Sequence, residues 1–146
     1  KRQVMRSGRI VQLGQAEELY DRPVDLFVAR LFSEINEDSY RVADGQIETP
    51  VGRLKAPDSM SEGDRAALCI REREIKIGVP GQGLPGRVLH VRFMGDIDLL
   101  EVGVQGFETP LRVRTPHFAH WAKGAEVGVE IDINRVLVFK ENGEGA

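Results

Sequence analysis

One cysteine, Cys69, stands among 146 residues. An internal disulfide is therefore impossible, which fits a reducing compartment. No apolar run approaches the roughly 18 residues that read as a membrane-spanning helix. No basic stretch followed by an apolar one opens the chain, as a secretory leader would. Positive charge is not in surplus either: 20 Lys and Arg stand against 23 Asp and Glu, for a net charge of -3. Neutralising phosphates needs a basic surplus, so no nucleic-acid partner is expected. Aromatic residues make up 6% of the chain with a single tryptophan, a poor supply for the stacking platforms of single-strand-binding domains. The pattern G-x-x-x-x-G-K-[ST] does not occur, so the chain brings no P-loop.

The residues present suit a small β-rich protein. Hydrophobic residues reach 41% and charged ones 29%, enough to build a core. Sixteen glycines and seven prolines punctuate the chain, as many short strands require.

Periodicity divides the chain into two unequal parts, 1–34 and 35–146. In the first, Val4 to Arg6 and Ile10 to Leu13 flank Ser7-Gly8, which predicts a hairpin. Ala16, Leu19, Tyr20 and Pro23 then recur at helical spacing, with Glu17 and Glu18 in the first turn, where carboxylates suit the helix dipole. Pro23 ends that helix, and Phe27, Val28, Leu31 and Phe32 mark a second. A hairpin and two short helices cannot bury their own apolar faces. Ile10, Val11, Leu19, Phe27, Val28, Leu31 and Phe32 are therefore expected to pack on the second part, pair with another copy or disorder.

The second part alternates by two. Tyr40 and Val42 lead into Asp44-Gly45, a hairpin turn signal. Leu68 with Ile70, Ile75 with Ile77, and Leu89, Val91 and Phe93 are each read as sharing a strand face. Leu100 to Val104, Leu111 with Val113, Val127 to Ile133, and Val136 to Phe139 continue the set. So many short strands need their edges managed, and a closed or nearly closed barrel does that. The predicted class is mainly β: a small antiparallel OB-like Greek-key barrel, preceded by a β-hairpin and two short helices.

Several motifs resemble chemistry and fail on context. Gly81-Gln82-Gly83-Leu84-Pro85-Gly86 spells G-x-G-x-x-G, but it runs into a strand rather than opening a helix, so it reads as a linker. His117 and His120 lie three apart with no third ligand near, short of a zinc set, and read as a loop beside an anchoring Trp121. Cys69, between Leu68 and Ile70, reads as a small buried or sheet-face residue. Arg71-Glu72-Arg73-Glu74 reads as a solvated strand end, with Arg71 or Arg73 on an anion or a partner chain as the functional alternative. Gly45 to Pro50 and Gly106 to Pro110 echo one another, either as two like turns or as a duplicated half-barrel. No catalytic, cofactor or metal residue is assigned.

Arg6-Ser7-Gly8-Arg9-Ile10-Val11-Gln12-Leu13-Gly14, Glu17-Glu18-Leu19-Tyr20-Asp21-Arg22-Pro23 and Phe27-Val28-Ala29 together resemble the closing stretch of an ABC-type ATPase. The remainder of the chain resembles the transport-associated OB (TOBE) domain appended to importer ATPases of the maltose, polyamine and ferric-iron group. Ile70-Arg71 with Ile75 and Ile77 match one of its motif lines. Gly86, Phe93, Gly95 and Asp96 stand at the fixed letters of another, G-x-V-x-x-x-x-F-x-G-D. Glu72-Arg73 replaces the usual Pro-Glu, which puts any partner contact of that corner in doubt. Gln15-Ala16 replaces Thr-Pro and weakens the first helix start.

The resemblance implies an ATPase remnant over 1–34 and a regulatory, dimerising barrel over 35–146. The full-length parent would bind ATP and Mg, dimerise with a second copy of itself and sit beneath membrane permease subunits on the cytoplasmic face. The fragment itself would bind no cofactor and hydrolyse nothing. Leu31 to Asn36 and Phe93 to Leu99 look closest to the ferric-iron branch, with polyamine or another small solute next. A free-standing module binding a small oxyanion between subunits is the other class.

Overall fold

The structure, a computed structural model, describes residues 2–6 and 8–141, apart from the side chains of residues 2, 11–13 and 16. Ser7 of the expected turn and the side chain of Val11 fall outside the described residues. The chain opens with an antiparallel hairpin, β1 (Arg2–Arg6) and β2 (Arg9–Gly14). Two short helices come next, α1 (Ala16–Asp21) and α2 (Leu26–Phe32). The carboxylate of Asp25 caps α2 by accepting from the Val28 N–H at 3.0 Å, satisfying a donor that has no partner within the helix.

Ten strands make up the rest: β3 (Ile35–Arg41), β4 (Gln46–Thr49), β5 (Gly52–Lys55), β6 (Arg65–Arg71), β7 (Ile75–Gly78), β8 (Leu84–Phe93), β9 (Ile97–Val104), β10 (Leu111–Pro116), β11 (Glu126–Ile131) and β12 (Leu137–Lys140). Five form one antiparallel sheet in the order β10-β9-β8-β11-β7, and three form another in the order β12-β6-β3. The edge strand β10 curls back against β7 and the turn before it, so the larger sheet nearly closes on itself. This is the expected OB-like barrel, with β4 and β5 as a separate hairpin.

Strand β6 explains how the layers join. It is buried on both faces, as strands between two packed layers are. Leu68 and Ile70 point into the barrel core with Val88, Leu100, Val102, Val113, Val127 and Val129. On the other face, Ala67 and Cys69 meet Leu26 and Ala29 of α2, three apart on one helical face. The second helix is therefore a lid on the back of the three-stranded sheet.

The N-terminal segment differs from expectation. Val4, Leu19 and Val28 form a small core of their own, with Phe27 and Phe32 beside it, so the hairpin and helices do bury part of their apolar surface unaided. Ile10 and Leu31 are ordered and 57% exposed in the single chain, so of the three expected fates only pairing with another copy remains for them. The segment folds on itself as well as on the barrel, and this covers Leu19 and Val28.

A bulge alters β8. Val88 opposes Val102, but His90 opposes Glu101 and Val91 opposes Leu100, so one residue, Leu89, is extra. Directly opposed residues share a face, so Val91 and Phe93 lie on the side of Val88 while Leu89 turns to the side of Gly103. The expected common face of Leu89, Val91 and Phe93 is thereby split. The echo also resolves: residues 46–49 form β4, whereas 106–110 form a loop in which Gly106 abuts Pro50.

Candidate functional site

The candidate site is the junction of α1, α2 and the barrel, built around the end of β6. Arg71 is the last residue of that strand and only 3% exposed. Its guanidinium lies over the Tyr20 ring, 4.3 Å from the centroid, and donates to the Tyr20 carbonyl. Nε donates to the Ser33 hydroxyl at 3.2 Å. One side chain of the barrel thus holds both α1 and the residue that closes α2. A rigid planar donor fork suits that task better than a point charge would.

Glu72 is buried too, and its two carboxylate oxygens serve two strand residues of β10. One accepts from Arg112 Nε at 2.8 Å and the other from Arg114 Nε at 2.9 Å. Arg112 also donates to the Ile35 carbonyl at 2.6 Å. The side-chain amide of Asn36 completes the network against the backbone of Arg112. The run Arg71 to Glu74 is therefore no solvated strand end. Its first two residues are buried, each facing a different element, because the chain turns sharply after β6 in a single 3-10 turn.

A cleft of about 520 Å³ opens at this junction, walled by Tyr20, Arg30, Phe32, Arg71, Arg73 and Arg114 among others. Arg30 on α2 is held by Glu37 through a two-pronged contact at 2.6 and 2.7 Å.

A second cluster lies at the tip of the β8–β9 hairpin. Phe93, 65% exposed, meets the His117 ring edge-on with centroids 4.7 Å apart. His117 Nδ1 sits 2.9 Å from a carboxylate oxygen of the buried Asp98, and the His120 ring is 5.0 Å away. The His117–Ala119 turn does bring the two imidazoles together, and Trp121 packs on the barrel core. Among the described residues, no group of three or more His, Cys, Asp or Glu side chains could hold a metal ion.

The six motif residues fall in different places. Ile70 is a core side chain and Arg71 belongs to the junction. Gly86 lies in β8, where a Cβ would sit 2.9 Å from a Val129 methyl. Phe93, Gly95 and Asp96 shape the hairpin tip: Gly95 takes φ +102 and the Asp96 carbonyl accepts from the His117 N–H at 2.9 Å. The motif residues thus spread over the core, β8, the junction and the hairpin tip rather than converging on one site. Sequence reasoning missed Asn36, Glu72, Arg112 and Arg114. For the two arginines the available signal was the alternation of β10, where Arg112 and Arg114 fall between inward Leu111, Val113 and Thr115. Cys69 is fully buried, and burial pushes its thiol up to about 12, so it is no nucleophile. Only the first half of the glycine-rich stretch, Gly81 to Gly83, is a linker; Leu84, Pro85 and Gly86 already belong to β8 and pair with β11.

Comparison with known proteins gives a consistent context. A family model described as the TOBE domain matches residues 68–139. The sulfate/thiosulfate import ATP-binding protein CysA of Bradyrhizobium diazoefficiens is 33% identical over 87% of this chain and 37% of its own length. The Fe(3+) ions import ATP-binding protein FbpC of Streptomyces coelicolor is 33% identical over 96% of this chain and 40% of its own. The glucose import ATP-binding protein GlcV of Saccharolobus solfataricus is 30% identical over 95% and 40%. The chain spans about two fifths of the length of these curated relatives. Among solved structures, the cytoplasmic molybdate-binding protein ModG is similar in fold, with a TM-score of 0.54 at 11% identity, covering 74% of this chain and 96% of that one. No helix of the described residues is long and apolar enough to cross a membrane. The chain thus carries a match to the TOBE domain over residues 68–139 and is similar, over most of its own length, to ATP-binding subunits of ABC importers.

Proposed function

We propose that the chain acts as the C-terminal regulatory and dimerisation part of an importer's ATP-binding subunit, with ferric iron as the transported solute. Residues 1–34 are the end of the nucleotide-binding domain and 35–146 the regulatory barrel. The observation that carries this reading is that similarity to an Fe(3+) import subunit runs over 96% of the chain. The N-terminal segment and the barrel thus match one relative together.

The physical role stems from the junction. Arg71 fastens Tyr20 and Ser33 to β6, and Leu26 with Ala29 seats α2 on the same strand's back face. A shift of the helices during an ATP cycle would be transmitted to the barrel as a rigid displacement, because close-packed layers do not deform continuously. ATP and Mg belong to the parent's upstream part, since this sequence supplies no phosphate-binding loop. In this reading the partners are a second copy of the subunit and membrane permease subunits, and the subunit lies at the inner face of the membrane. The motif residues Ile70, Arg71, Gly86, Phe93, Gly95 and Asp96 act structurally, in core, junction and hairpin tip.

The test is made on the subunit encoded together with the upstream reading frame. That longer polypeptide should hydrolyse MgATP while the 146-residue chain does not, and deleting its gene should abolish uptake of radiolabelled ferric iron. Loss of sulfate or glucose uptake instead would overturn the solute. Nucleotide turnover by the short chain alone would overturn the whole reading. A second reading, a free-standing inorganic-oxyanion module, is favoured by the fold shared with a molybdate-binding protein. Tight molybdate binding by the 146-residue chain, with no upstream ATPase in the reading frame, would put it first.

A further inference from the structure

The charge balance of the junction cleft is left open by its own residues. Its walls carry four arginines, Arg30, Arg71, Arg73 and Arg114, against one carboxylate residue, Glu34. Glu37 engages Arg30 and Glu72 engages Arg114. Among the described residues, the partners of the buried Arg71 guanidinium are neutral: a hydroxyl, a carbonyl and a ring. Arg73 is exposed and takes part in no ion pair among the described residues. An arginine keeps its charge when buried, and a buried charge is costly until an opposite one stands beside it.

We infer that this cleft binds a small organic polyanion bearing two or more carboxylate or phosphate groups, held by Arg71 and Arg73 with Arg114 at its side. A volume of about 520 Å³ suits a metabolite-sized ligand and is far larger than a lone tetrahedral inorganic anion fills. Planar guanidinium forks match carboxylate and phosphate oxygens in pairs. Because the walls come from α1, α2, β6 and β10, the bound anion ties the N-terminal segment to the barrel, which makes the cleft a place where a metabolite signal enters. This goes beyond the importer reading, since binding is a property of the chain itself, whatever solute a parent transports.

The experiment is calorimetric titration of the 146-residue chain, at ionic strength held constant with sodium chloride. Citrate probes for a polycarboxylate, fructose 1,6-bisphosphate for a polyphosphate, and sulfate for a simple inorganic ion. One of the first two should saturate the chain and raise its Tm, with sulfate much weaker. Arg73→Glu, at an exposed position that leaves the fold intact, should weaken that binding on the order of tenfold. Arg53→Glu, an exposed charge change on β5 outside the cleft, should leave it unchanged. No saturation by either organic anion, sulfate binding as tight as theirs, or equal binding by Arg73→Glu would each overturn the inference.

Discussion

Asn36 and Arg112 pair as two strand backbones would. The side-chain Nδ2 donates to the Arg112 carbonyl at 2.9 Å, and Oδ1 accepts from the Arg112 N–H at 2.8 Å. A carboxamide carries the same donor and acceptor as a peptide group, so one side chain of β3 stands in for a missing strand on the outer edge of β10. Asn36→Leu would leave both Arg112 backbone groups without that partner. The expected loss is roughly 2–3 kcal/mol in urea unfolding, the cost of stranding buried polar groups. Asn36→Asp keeps the acceptor but sets a carboxylate against the carbonyls of Arg112 and Ile70, so it should cost no less. Near-neutral results for both variants would mean that β10 needs no such cover.

Glu72 neutralises two arginines from one buried position. Glu72→Gln keeps its volume and removes its charge, leaving Arg112 and Arg114 without their carboxylate. Breaking a buried pair costs about 3–5 kcal/mol, but Arg112 is nearly half exposed and can turn to water. The expected loss is therefore smaller, about 2 kcal/mol, with the Arg114 contact carrying most of it. A double-mutant cycle with Arg114→Met should recover a coupling energy larger than the same cycle with Arg112→Met. Equal couplings would contradict this ranking by burial.

The alternation of apolar residues made the barrel legible, because a strand with one buried face writes its period into the sequence. Leu100, Val102 and Val104, or Leu111 and Val113, are inward as their spacing predicts. Asp44 and Gly45 both take positive φ, as their hairpin turn requires. Local patterns could not show the bulge at Leu89, since a single extra residue changes faces without changing composition. The junction was hidden for a different reason. Arg71 and Glu72 look like any exposed charged pair until Tyr20, Ser33, Arg112 and Arg114, up to 51 positions away for Tyr20 and 42 for Arg114, are brought against them. The fate of the N-terminal segment was half readable: Leu19 and Val28 announced burial, but whether the cover came from the barrel or from Val4 depended on the fold of the hairpin.

Two neighbouring glycines offer a controlled contrast. Gly81 and Gly83 both take positive φ, +96 and +78. A Cβ at Gly81 would meet open space, whereas one at Gly83 would lie 2.2 Å from the Val129 carbonyl oxygen. Gly81→Ala should lose only the backbone penalty, about 1–2 kcal/mol. Gly83→Ala should lose that and a further ~1–3 kcal/mol from forcing the loop off β11. Thermal unfolding of the two variants side by side tests this, and equal losses would show that the loop does not press on β11 as the structure has it.

Cys69 gives the chain a stability that depends on alkaline pH. Burial first, and then the nearby Glu37 charge, pushes its thiol from an ordinary value of 9.0 to about 12. A thiol with a raised folded pKa keeps its proton in the native state after the unfolded chain has begun to ionise. Its contribution is therefore fully present below pH 9 and is lost as pH rises towards 12. Between pH 8 and 10 the unfolding free energy should fall by about 1.4 kcal/mol from this group alone. Cys69→Ala should flatten that decline while leaving the steeper loss above pH 10, where Tyr40, its phenol also raised by burial and by the hydrogen bond to Asp38, contributes with the same sign. The same burial predicts that a thiol reagent at pH 8 labels Cys69 only in denaturant. Rapid labelling of the native chain, or an alkaline slope unchanged in Cys69→Ala, would mean that α2 does not seal the back of β6.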